Sequence, residues 1–310
     1  MTEFGNSTAL IACKQADRQY KGVNLAEKHS AEIQADYAGN VWKWVQARIK
    51  AGNFSGIHVN DYIPLTLKAG TVASYAIPTG TFNAVVMGID TYYGYGDTIV
   101  GHHIDWKFDK AINKAIPFQT QNYNNGGNTH KSPWMSSILY AVFNGVNNVK
   151  TDNFGGHSLG ADASAGGILQ LLPAEMQEVL IEKRLYAPTR YSASGVLTED
   201  NGGAWLNIGK LFSLYEAEIY DSGNVWGGSS AAEIGRSSMG MTQYPIFANN
   251  CNYGTRVATT DGATARVYQW LASARSGNST NVCFVDSSGV ANGVNATYAW
   301  VYPVPCFRIG

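Results

Sequence analysis

The chain has 310 residues, 45% hydrophobic and 15% charged, which is enough apolar material for a sizeable core and argues against a disordered chain. Lys and Arg number 22 and Asp and Glu 23, so the formal charge of −1 offers no overall attraction to nucleic acid or to an anionic membrane. No run approaches the roughly 20 apolar residues of a membrane span, and Met1-Thr2-Glu3-Phe4 lacks the basic and apolar regions of a signal peptide, so a soluble protein made in the cytoplasm is expected.

Between Asn24 and Lys50, the residues Leu25, Ile33, Tyr37, Val41, Trp44, Val45 and Ile49 recur mostly at steps of three or four, the spacing of an amphipathic helix. Asn24 reads as its N-cap and Gly52 as its stop, while Gly39-Asn40 interrupts helical propensity and predicts a helix pair as the alternative. The apolar stripe must be buried, either on the rest of the chain or on neighbouring copies. After Gly56 the pattern turns to short strand-like runs, Ile57 to Leu67 and Phe82 to Ile89, separated by Gly, Asn, Asp and Pro. Helical signals return in three places. Ser132-Pro133 opens Trp134 to Phe143, Pro173 opens Ala174 to Leu185, and a shorter helix is expected over Ser213 to Tyr220. Asn122 to Asn128 reads as a surface loop. Beyond Lys210 there is no lysine, and Gly, Ser, Asn, Thr and aromatic residues dominate, as in a loop-rich β region with an uncharged surface.

Cys13, Cys251, Cys283 and Cys306 show no C-x-x-C spacing and read as buried thiols. Cys283 and Cys306 both fall in strand-like runs, which leaves a disulfide between them open.

Three groupings invite a chemical reading. Gly156-His157-Ser158-Leu159-Gly160 has the letters of a nucleophile elbow, but that elbow needs an apolar strand before the serine and a packed helix after it. Asn147 to Asn153 is polar and Ala161 to Gly167 carries two glycines, so a glycine-rich loop is the better reading. Gly101-His102-His103-Ile104-Asp105 with His130 suggests a metal, yet on a strand only His103 and Asp105 would share a side, too few ligands for zinc. A hydrogen-bonded structural histidine is expected instead. Glu216 and Glu218 do not face one another on a helix, so one packed and one solvated carboxylate is expected rather than an acid–base pair. No catalytic residue, metal or cofactor is expected, and the chain reads as a non-enzyme.

The remaining feature is the aromatic content of the C-terminal segment: Tyr268, Trp270, Tyr298, Trp300 and Tyr302. The alternation Tyr298-Ala299-Trp300-Val301-Tyr302 predicts three rings on one side of an extended strand, with Ala299 and Val301 serving the core. Short polar side chains lie beside them. Adaptable amides next to rigid rings make a good binding surface, so Arg275, Asn278, Asn292, Asn295, Tyr298, Trp300 and Tyr302 are the expected ligand-binding residues. Strand-like runs at Cys283 to Val285 and Cys306 to Ile309 would anchor that stretch.

Several segments taken in order carry a resemblance: Ile57-His58-Val59-Asn60-Asp61-Tyr62-Ile63-Pro64, Tyr95 to Asp105, Leu214 to Tyr220, Tyr244 to Asn249, Tyr268 to Arg275, Cys283 to Ala291 and Phe307-Arg308-Ile309. The series resembles uncharacterised proteins of phages and prophages of gut Firmicutes, over roughly Gly56 to Gly310. The resemblance implies an α+β chain, in which an N-terminal helix or helix pair (1–55, for virion attachment or oligomerisation) precedes a C-type-lectin-like module (56–310) of mixed or antiparallel strands with long loops. Similar modules include the variable proteins of diversity-generating retroelements, whose solvent-facing C-terminal residues are altered to change the target. The triplets that hold calcium in sugar-binding lectins, Glu-Pro-Asn, Gln-Pro-Asp and Trp-Asn-Asp, do not occur. The implied function is that of a virion protein on the tail, fibre or head. It would bind a host-surface glycan or protein, or serve as a purely structural decoration subunit, and its partners would be other virion subunits and further copies of itself. Because a lectin-like module closes on its ends, the strand near Ile57 to Leu65 is expected to pair antiparallel with Val304 to Ile309.

Overall fold

The computed structural model describes residues 20–124, 126, 132–145, 153–154, 157–158, 166–190, 203–221, 240–248 and 255–310. The helical signal of the first fifty residues resolves into α1 (Leu25–Lys28), α2 (Ser30–Tyr37) and α3 (Val41–Lys50). Asn24 caps α1 by accepting from the Ala26 amide, and Asn40 caps α3 by accepting from the Lys43 amide. Between α2 and α3, Ala38 and Gly39 take positive φ angles of 52° and 84°, the left-handed turn that separates the pair. Of the two burials open to the apolar stripe, the chain uses its own sheet: Leu25, Ile33, Trp42, Trp44, Val45 and Ile49 join the same core cluster as Trp106 and Phe307.

The strands follow as β1 (Tyr62–Leu67), β2 (Gly70–Val72), β3 (Tyr75–Ile77), β4 (Gly80–Ile89) and β5 (Ile104–Phe108). Helix α4 (Ile138–Asn144) is capped by Ser137, four residues later than the Ser132-Pro133 signal placed its start. Short pieces come next: β6 (Asn153–Phe154), β7 (His157–Ser158), a 3-10 turn at Ile168–Leu171 and α5 (Ala174–Gln177). The helix expected from Ala174 to Leu185 ends after one turn. Beyond it run β8 (Leu180–Ile181) and β9 (Arg184–Pro188), because pairing with neighbouring strands outweighs the helical propensity of this segment. The remaining elements are β10 (Gly203–Asn207), β11 (Leu211–Phe212), α6 (Glu216–Tyr220), α7 (Pro245–Ala248), β12 (Ala258–Thr259), β13 (Arg266–Val267), β14 (Gln269–Ala274), β15 (Asn281–Val285), β16 (Ala291–Asn295) and β17 (Cys306–Ile309).

The fold is α+β with antiparallel sheets. The main sheet is six-stranded, ordered β1-β4-β5-β17-β11, with β8 pairing the end of β17. The direct pairing expected between the first strand and the last does not form. Both lie in this one sheet, but β4 and β5 stand between them, since the long β4 hairpins onto β1 and leaves only β5 to receive β17.

Alternation divides the sheet into two unlike faces. Trp106 and Phe307 are register partners, their rings are parallel with centroids 6.0 Å apart, and Trp42 of α3 packs edge-on against both. One position along, Asp105 and Arg308 are also partners and point to the other face. A second sheet, β14-β15-β16, holds the aromatic C-terminal segment and is stitched to the chain entering β17, where Tyr302 donates to the Tyr268 carbonyl and accepts from the Trp270 amide. No helix among the described residues is long and apolar enough to cross a membrane.

Candidate functional site

Two polar or aromatic clusters could carry function. The first lies under the sheet. Asp105, Lys183 and Glu218 are fully buried and Arg308 is 1% exposed. Arg308 grips Asp105 with Nε to Oδ1 and Nη2 to Oδ2, both 2.7 Å. Tyr244 donates to Asp105 Oδ2 at 2.9 Å and accepts from Lys183 Nζ at 2.9 Å. Lys183 also pairs with Glu218, which accepts from the Tyr92 hydroxyl at 2.8 Å and from the Tyr215 amide at 3.0 Å. The bulge in β4 helps this assembly close, because a Cβ on Gly88 would lie 2.9 Å from the Tyr244 ring.

Electrostatics follow from burial and pairing. Burial pushes the Asp105 carboxyl up, but the Arg308 guanidinium outweighs it and leaves the group at about 2. Burial lowers the Lys183 ammonium against the opposing pull of Glu218, and raises Tyr92 and Tyr244 well above an ordinary phenol. Two cations face two carboxylates with their hydrogen-bonding capacity largely filled, and water does not reach them. This cluster is a brace that ties β5, β17, the Lys183 turn, α6 and the Tyr244 segment.

The histidine pair belongs to its edge. His103 is fully buried; its Nδ1 lies 2.8 Å from the Gly101 carbonyl and its Nε2 accepts from the Tyr92 amide at 3.3 Å, the structural role expected for one histidine. It lies 3.6 Å from Asp105, while His102 turns out to stack on Tyr93 and bond Asp90. Among the described residues, no three His, Cys, Asp or Glu side chains gather as metal ligands would; His130 lies outside them. Glu216 and Glu218 correct a second expectation, since both are buried and neither is solvated. The α6 helix is enclosed on all sides, which the two-residue spacing could not reveal. Ser158 lies in the hairpin of β6 and β7, opposite Asn153, and residues 159–165 lie outside the described residues. Cys283 and Cys306 are separate buried thiols, and Cys13 and Cys251 lie outside the described residues.

The second cluster is on the surface. Tyr298 and Trp300 are 38% and 41% exposed, two of the few large apolar side chains that face solvent among the described residues. Their ring centroids are 5.2 Å apart with planes at 45°. Behind Trp300, Tyr268 meets it edge-on at 4.9 Å and Phe284 at 6.0 Å, and those two meet each other at 5.5 Å. The indole is therefore oriented by its neighbours within the chain.

The structure brings together only part of the expected binding set. Residues 299–300 form a turn, so the three rings do not share a strand: Tyr302 is half-buried against the core, and Ala299 is exposed while Val301 is buried. Asn292 stands opposite Phe284 on the ring side of β16, and its Oδ1 takes the Gly293 amide. Strand alternation sends Asn295 to the other side, opposite Asn281. Asn278 is a turn residue, its Oδ1 accepting from the Thr280 and Asn281 amides, and the Arg275 carbonyl receives the buried Arg190. Tyr268 and Phe284, which back Trp300, lie outside the expected binding set. No local sequence signal marks them, because their contacts with Trp300 cross from one segment to another.

Comparisons with protein-family models, with curated proteins and with solved structures find no match to this chain.

Proposed function

We propose that this chain is a non-enzymatic bacteriophage virion protein. In this reading its C-type-lectin-like module is displayed on the particle and binds a host-surface glycan or protein through the Tyr298–Trp300 surface. The observation that carries the reading is the ring pair itself: both rings are solvent-facing, and Trp300 is held from behind by Tyr268 and Phe284. Rigid aromatic side chains of this kind lose little entropy on binding and make good anchors. The ordered resemblance over Gly56 to Gly310 and the α+β fold with antiparallel sheets are compatible with the same reading.

The test is Trp300→Ala, assayed for melting temperature and for adsorption to host cells, with electron microscopy of labelled virions to locate the subunit. Adsorption should fall by about 30-fold, on the order of 2 kcal/mol, with melting nearly unchanged. Unchanged adsorption overturns the reading. A second reading, a structural virion subunit without a host ligand, draws on other side chains: Tyr93, Ile99 and Ile181 are 56%, 79% and 37% exposed, as residues that pack on other subunits would be. Under that reading Ile99→Asp impairs particle assembly while Trp300→Ala leaves both assembly and adsorption intact.

A further inference from the structure

We propose that Lys183 and Glu218 are the two halves of an intramolecular amide cross-link, formed in the folded chain when the Lys183 amine condenses with the Glu218 carboxyl and releases one water. It is a modification site of the buried brace and stands independently of the host-binding reading.

The first argument is enclosure. Both side chains are fully buried, and Lys183 Nζ sits among three rings, 4.6 Å from the centroid of Phe212, 4.9 Å from Tyr92 and 5.1 Å from Tyr244. A buried ion pair carries a large desolvation cost, and moving one proton from Nζ to the carboxylate replaces it with a neutral amine and a neutral acid. Burial lowers the Lys183 ammonium, which favours the uncharged, nucleophilic amine.

The second argument is position. Nζ is bonded directly to Glu218 Oε1, so nucleophile and carboxyl meet without rearrangement. The Tyr92 hydroxyl also donates to Oε1 at 2.8 Å, and the Tyr215 amide donates to Oε2 at 3.0 Å. Once the amine is neutral, Nζ adds to Glu218 Cδ, and the charge that develops on Oε2 falls on the Tyr215 amide. The Cδ–Oε1 bond then breaks. Oε1 leaves as water with two protons that began on Nζ, and the third stays on the amide nitrogen, so the step needs neither oxidant nor co-reactant. Tyr244 accepts from Nζ at 2.9 Å and donates to Asp105 Oδ2 at 2.9 Å, giving a proton shed by the nitrogen a hydrogen-bonded route toward a buried anion.

The third argument is the choice of carboxyl. Both Asp105 oxygens are held by Arg308 at 2.7 Å, and the group stays ionised down to about 2, a poor acyl donor. The cation paired with Glu218 is the nucleophile itself. The link would join the β8–β9 turn to α6 across 35 positions of sequence, so the chain between them becomes a closed loop.

The test is intact-mass spectrometry of the denatured full chain, followed by proteolysis and fragment sequencing. We expect most molecules to be lighter than their sequence by one water, with the peptides carrying Lys183 and Glu218 emerging as one branched species. In Lys183→Arg, which keeps a cation opposite Glu218 but no primary amine, the mass should return to the sequence value. Lys183→Met is the second variant, circular dichroism checks that each folds, and the wild-type peptide map decides by itself if neither does. Separate peptides with unmodified Lys183 and Glu218, from folded chain both fresh and after long incubation at neutral pH, overturn the proposal. A water loss that maps to other residues, or that persists in folded Lys183→Arg, overturns it as well.

Discussion

The Asp105–Arg308 brace and the Tyr298–Trp300 platform are built from residue types that would each pass for functional, and burial gives them opposite uses. In the brace, four charges are sealed from water and satisfy one another, so their chemistry is spent on holding elements in place. On the platform, Trp300 is backed by Tyr268 and Phe284 and, with Tyr298 beside it, is left open in front. The same contrast recurs between two tryptophans of the aromatic segment. Trp270 is 2% exposed and donates to the Ile116 carbonyl, whereas Trp300 is 41% exposed. Residue type proposes a role, and access to solvent decides it.

Two changes on the buried side should have the largest effects. Asp105→Ala leaves the Arg308 guanidinium buried without its carboxylate and should cost about 3–5 kcal/mol in chemical denaturation. Trp270→Ala should cost a similar 3–5 kcal/mol by opening a cavity and stranding the Ile116 carbonyl. A loss below about 1 kcal/mol in either would mean that the brace or the core relaxes freely, and the comparison would break.

Acid should sharpen it. The Asp105 carboxyl is depressed from 3.8 to about 2, so its contribution is fully present above the unfolded value and lost as pH falls through the folded one. About two units correspond to roughly 2–3 kcal/mol, to be lost between about pH 4 and pH 2. His103 is also depressed, by burial, so stability should begin to decline earlier, as pH falls below about 6.5. Denaturation across pH should show both limbs. His103→Gln should flatten the upper limb and Asp105→Asn the lower, and a single limb unaffected by either variant would refute the assignment.

Smaller effects belong to the surface. Asn278→Ala should cost about 1 kcal/mol by removing the side chain that closes its own turn, with no effect on binding. Trp300→Ala should cost at most about 1 kcal/mol of stability while removing most of the binding; the reverse pattern would place that ring in the core. Ser158→Ala should change neither folding nor reactivity, and fluorophosphonate labelling lost in that variant would establish a nucleophile instead.

Helix positions in the first fifty residues were legible because caps and periodicity are local: Asn24, Asn40 and the Gly39 break each act within a few residues. The helix expected from Ala174 to Leu185 stops after one turn because Leu180 and Ile181 pair with β17 far along the chain and Arg184 to Pro188 pair with β10. For the same reason the order of the main sheet was hidden, and β5 rather than β1 receives the last strand. In the candidate site, the exposed rings of Tyr298 and Trp300 were visible as residue types, but their extended strand became a turn, and Tyr302, Asn278 and Asn295 were drawn off to other contacts.

By itself the sequence determined the helical segment followed by strand-like runs, the helix caps, the charge-poor aromatic C-terminal segment and the residue types available for binding, since these depend on composition and on neighbours a few positions apart. Only the tertiary structure decided that Glu218 meets Lys183, that Asp105 meets Arg308 across 203 residues, and that Tyr268 and Phe284 stand behind Trp300. Those pairings depend on sheet order and burial, which arise when distant segments exclude water together, and no short window of sequence contains them.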